Sequence, residues 1–142
     1  MIKEAYVSFE VARLLKEKGF NEECNRVYEG PNLKYTTLPI SPLMCLGELG
    51  GFNPKQLYIT NNELGDIVYT APTQQMAMAW LREVYNVLIV IDVRSGTGQE
   101  SIYCWQLEDN RTGDYIGNIV GECSTYEQAC EAALKYYIEN FI

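Results

Sequence analysis

From Thr73 onward the spacing of apolar residues changes period from helix to strand and back again. In TQQMAMAWLREVYN, Ala77, Trp80, Leu81 and Val84 recur at helical spacing, with Gln75, Met78 and Arg82 facing outward. Pro72 excludes helix before this segment, Thr73 can cap it, and Asn86 can take the left-handed closing position. VLIVIDVR and SIYCWQLE then read as two strands joined by SGTGQ. A five-residue loop sets Arg94 opposite Glu100, Val93 opposite Ser101, Ile91 opposite Tyr103, Ile89 opposite Trp105 and Val87 opposite Leu107. One face is then apolar and aromatic, and the other carries Asp92, Arg94, Gln106 and Glu108. A third strand is predicted at Tyr115–Val120, after the turn-forming NRTGD. Ser124 or Thr125 opens the last helix, since Ser124/Glu127 and Thr125/Gln128 both have capping-box spacing. Its inner face is predicted to hold Tyr126, Cys130, Ala133, Leu134, Tyr137, Ile138 and Phe141.

The first 29 residues are predicted to be helical. Ser8 caps a helix from about Phe9 to Lys18, Val11, Leu14 and Leu15 share a face, and Gly19 ends it. A short second helix is predicted from Asn21 to about Val27. This resembles a helix-turn-helix in outline, but Glu22 and Glu23 stand where a recognition helix would meet phosphates, so packing is the better reading. Residues 30–71 hold four of the five prolines and form a loop-rich middle, with QLYIT and DIVYT suggesting a short hairpin around NNELG. PLMCLGELGGF reads as a buried turn or short helix, and Pro31–Asn53 as the place for a variable functional surface. The predicted fold is a single α+β domain over residues 1–142. In it, two or three helices pack on a small antiparallel sheet made of a β-hairpin and a third strand. The order over residues 73–142 is α-β-β-(β)-α.

With 47% hydrophobic residues in 142, one ordinary core is feasible without disulfides or metal. No apolar run reaches membrane-spanning length and the N-terminus lacks a signal-peptide core, so a cytoplasmic protein without membrane attachment is expected. Five scattered cysteines and no histidine argue against a structural zinc site and point to buried free thiols. The net charge of −8, with no basic cluster, disfavours direct nucleic-acid binding. It suits either simple solubility or a basic partner. GTGQES sits between strands and is a hairpin turn rather than a dinucleotide loop, and Asn110-Arg111-Thr112 marks a surface turn. Asp92, Glu108, Asp109 and Asp114 could approach one another as a carboxylate pair or cation site, although a solvated acidic rim explains them better. No catalytic residue, cofactor or metal is assigned. The candidate binding residues are Arg82, Arg94 and Arg111, as anion contacts, and Tyr115 and Tyr136, as interface residues.

The order helix, three strands, helix resembles double-stranded-RNA-binding domains, but Tyr126, Glu127, Gln128, Ala129 and Cys130 stand where those domains carry a lysine cluster. GECSTYEQACEAALKYYIENF is similar to the close of HicB-type antitoxins. SFEVARLLKEKGFNEEC, APTQQMAMAWLREVYN and TYEQACEAALKYYI resemble short proteins of phages, prophages and mobile elements of gut Bacteroidales. The AxTQxxAxxWLRE block is the most specific part. That group implies provenance and no activity. The expected function is a non-catalytic binding module that acts on a protein partner or by self-association as a homodimer. The alternatives are an oligomer that sequesters a small anionic, nucleotide-like ligand in counter-defence, a HicB-like antitoxin, and, last, a carboxylate-dependent enzyme.

Overall fold

A computed structural model of the chain describes residues 2–36, 58–95, 98, 100–117 and 119–142. It is an α+β structure with, among the described residues, three α-helices and two three-stranded antiparallel sheets. Contacts group the chain into two compact units, Tyr6–Pro72 and Thr73–Ile142, the second joined by the chain's first residues through Ala5.

In the unit Tyr6–Pro72, helix α1 (Phe9–Glu17) begins at Ser8, whose side chain accepts from Val11 N–H, and Gly19 closes it in the left-handed region. Val11, Ala12 and Leu15 are buried, and Leu14 only partly, so the inner face is centred nearer Ala12 than the spacing predicts. Strands β1 (Arg26–Glu29), β2 (Asn32–Tyr35) and β3 (Val68–Thr70) form a sheet in the order β2-β1-β3. The predicted helix over Asn21–Val27 is therefore replaced by extended chain. Cys24 bridges Ile59, and Arg26 onward gains two antiparallel partners. Only ten residues separate Gly19 from Gly30, and β-favouring Val27 and Tyr28 are buried on opposite faces of the sheet, Val27 beside Val68 and Tyr28 against Phe9. Among the described residues the predicted hairpin around NNELG is also absent. DIVYT supplies β3, which pairs with β1, while NNE forms a 3-10 turn. Part of QLYIT, all of PLMCLGELGGF and most of Pro31–Asn53 lie outside the described residues.

Asn61 explains this connection. Its amide donates to Phe20 C=O at 2.8 Å and its carbonyl accepts from Thr70 N–H at 2.9 Å. Lys16 adds a second brace, donating at 2.7 Å to both Gly65 C=O and Val68 C=O. Burial lowers the Lys16 pKa, against an opposing pull from Asp66. Val27, Ile59, Leu64 and Val68 form a core cluster beneath.

In the other unit, helix α2 (Gln74–Tyr85) is capped by Thr73 and ends at Asn86 with φ 56°. The strands β4 (Val87–Arg94), β5 (Ile102–Asp109) and β6 (Gly121–Cys123) follow, and helix α3 (Tyr126–Phe141) is capped by Thr125. The predicted order is thus present, with two corrections inside the sheet. The hairpin register is shifted by two residues, with Ile89 facing Leu107, Ile91 facing Trp105 and Arg94 facing Ile102 rather than Glu100. A two-residue slip leaves every side chain on its predicted face, so hydrophobic alternation cannot detect it. The third strand lies at Gly121–Cys123, beyond the predicted Tyr115–Val120.

Helices α2 and α3 meet the sheet on the face of Val87, Ile89, Trp105 and Leu107. Ala77, Trp80, Leu81, Ala129, Cys130, Ala133, Leu134, Tyr137 and Ile138 complete this core. Val84, Tyr126 and Phe141, predicted on inner faces, are exposed because they lie at helix ends. Gln74, by contrast, is buried, and its side chain donates to Glu127 C=O at 3.0 Å.

Candidate functional site

The missing third-strand residues create the most distinctive surface of the unit Thr73–Ile142. Asp109 shapes the turn after β5, its carboxylate accepting from Arg111 N–H at 2.8 Å and Thr112 N–H at 3.4 Å. Those bonds hold the Asp109 carboxyl below the usual range. The chain then returns along β5, with Tyr115 bridging Glu108 and Ile116 N–H donating to Leu107 C=O at 2.8 Å. Gly117 turns it out of line with φ 69°, and pairing resumes only at Gly121 opposite Trp105. The chain between these two points holds three residues more than a continuous ladder would, so the ladder bulges at the sheet edge.

That bulge leaves Tyr115 66%, Ile119 43% and Val120 53% exposed. Gln106, Leu107, Tyr115, Gly117, Ile119 and Val120 line an open groove of about 250 Å³. Further along the outer sheet face, Leu88 and Val90 are half-buried and Ile102 is exposed. The outer face thus carries the predicted Asp92, Arg94, Gln106 and Glu108, with an apolar strip of Leu88, Val90 and Ile102 among them. A second groove, of about 260 Å³, lies between the chain's first residues and the starts of α2 and α3. Both fall below the roughly 300–1,000 Å³ of sites that enclose a small molecule. An open apolar strip suits a macromolecular partner better.

The five candidate residues do not converge. Arg94 is exposed where β4 ends, and Arg111 lies past the opposite end of the hairpin, where it pairs with Asp109 at 3.6 Å. An eight-residue strand separates those ends by roughly 24 Å. Arg82 lies in the last turn of α2, before β4 begins. Tyr136 packs on the helix side, 5.4 Å from Trp105 and 5.9 Å from Phe141 between ring centroids. Tyr115 alone lines the groove. Its neighbours Ile119 and Val120 escape notice in the sequence because an unbroken third strand would pair them.

Among the described residues, the acidic candidates do not assemble either. Asp92 faces Cys104, four positions along β5 from Glu108, or about 14 Å. Among the described residues, no three acidic or thiol groups come together in a way that could hold a metal ion. Cys24, Cys104 and Cys130 are buried, and burial pushes the Cys24 thiol up to about 11, which keeps it protonated and inert at neutral pH. In the unit Tyr6–Pro72, Arg26 lies between the rings of Tyr6 and Tyr35, 4.3 and 3.8 Å from their centroids, and donates to the Tyr35 hydroxyl. That guanidinium is engaged in ordering its own sheet. No helix among the described residues is long and apolar enough to cross a membrane. Comparisons with protein-family models, curated proteins and solved structures gave no match.

Proposed function

We propose that this chain is a cytoplasmic, phage- or prophage-type binding protein without catalytic activity of its own, working through protein contacts on the outer side of its C-terminal sheet. The observation that carries this reading is the exposed strip of Ile102, Tyr115, Ile119 and Val120, which no part of the unit's own core requires. Apolar side chains left open beside an interrupted strand suit a protein surface, where tyrosine and aliphatic residues supply the buried centre of an interface. The scattered arginines and shallow grooves give less support to capture of a small anion by one chain.

The test is retention of protein partners from bacterial lysate by the tagged chain and by Ile119→Asp and Val120→Asp variants. Both positions are already exposed, so the variants are expected to keep the wild-type circular dichroism. Proteins retained by the wild type are expected to be lost from both variants. A retained set that neither substitution alters would overturn the assignment of this surface.

A further inference from the structure

The free side of β4 carries a second and more specific signal. In the order β4-β5-β6, β4 is an edge strand, and its outward N–H and C=O groups have no ladder partner among the described residues. An unpaired eight-residue edge is a ready template for strand addition. Helix cover fades along it. Val87 and Ile89 are buried, whereas Asp92, Val93 and Arg94 are exposed, Val93 by 56%. Asp92 and Arg94 on one face of the strand and Val93 on the other are therefore open to solvent. Among the described residues, neither Asp92 nor Arg94 makes an ion pair.

The charges in this exposed stretch select among antiparallel pairings with a second copy. Centring on Asp92 would oppose two like charges, and centring on Ile91 would set Asp92 against Val90 and Arg94 against Leu88. Centring on Val93 places Val93 against its counterpart, Asp92 against Arg94, and Arg94 against Asp92. Ile91 then meets Ser95. Both charges are satisfied at once, and reciprocally, as a two-fold contact demands. Charge on an edge strand commonly prevents pairing, but this order of opposite charges is complementary to itself.

We infer that two copies of this chain associate by antiparallel pairing of Ile91–Ser95 along the β4 edge, with reciprocal Asp92–Arg94 contacts. This goes beyond the binding reading above, adding a contact with a second copy at the sheet edge that stands apart from the outer face.

Sedimentation equilibrium of the full chain tests it through charge reversal. The wild type is expected to show a monomer–dimer equilibrium. Asp92→Arg and Arg94→Asp, each of which turns both attractive pairs repulsive, are expected to weaken the dimer roughly tenfold or more. Mixing the two single variants in equal amounts should restore dimer, because the two cationic side chains of one variant then face the two carboxylates of the other. The double reversal D92R/R94D should restore it as well. Unchanged circular dichroism in each variant establishes folding. A wild type that stays monomeric up to about 1 mM would overturn the inference, leaving the outer-face reading to its own lysate test. A dimer that ignores both reversals and yields to Val120→Asp would also overturn edge pairing, while supporting the outer face as the contact.

Discussion

Gly121 shows how closely one residue can be tied to the packing of this sheet. A Cβ built there would lie 1.9 Å from Trp105 Nε1 and 2.2 Å from its Cε2, so the indole lies directly across the glycine backbone. Gly121 and Trp105 are cross-strand partners, and only a residue without a side chain admits the ring. Gly121→Ala is expected to destabilise the chain by about 1–3 kcal/mol through overpacking, measured as the shift in urea midpoint. A wild-type midpoint would mean that the ring moves aside freely. The sequence placed Trp105 in the core correctly from strand alternation, as it did Trp80 from helical spacing. The contact with Gly121 was illegible, because the strand that carries the glycine was predicted six residues too early at its start.

Elements were legible where local chemistry alone decides them. The helices have the caps Ser8 and Thr73 that the sequence assigns, the last is capped by Thr125 of the two residues proposed for it, and Asn86 takes its left-handed position. Hairpin faces were legible, and hairpin register was not, since slipping two positions conserves the alternation of apolar and polar residues. Residues 20–30 and 59–70 were misread because their partners are distant in sequence. Cys24 meets Ile59, β1 meets β3, and Asn61 joins Phe20 to Thr70. Nothing in the local composition of NNELG announces that Asn61 is a buried bridge. Asn61→Ala would strand a buried carbonyl and a buried N–H, each costing about 1–3 kcal/mol. A loss of about 2–4 kcal/mol in chemical denaturation is expected, and a loss well below 1 kcal/mol would show that water replaces the amide.

For the whole molecule, composition limited what the chain could be, and geometry suggested where it acts. The lack of histidine and of a basic cluster set the expectation of a binding role away from nucleic acid before any fold was known. Tyr115 was legible as an interface candidate, whereas Ile119, Val120 and the β4 edge required the bulge and the strand order to be seen. The resulting picture is of a helix-backed sheet whose core is closed on one side and whose outer face and edge remain available. Amide hydrogen exchange on the chain in complex with a retained protein, compared with the dilute free chain, tests that picture most directly. Protection is expected to rise across Ile102–Glu108 and Tyr115–Val120, where the outer face and the bulge lie, with the solvent side of α3 unchanged. New protection confined to the exposed face of α3, around Glu127, Glu131 and Lys135, would contradict it.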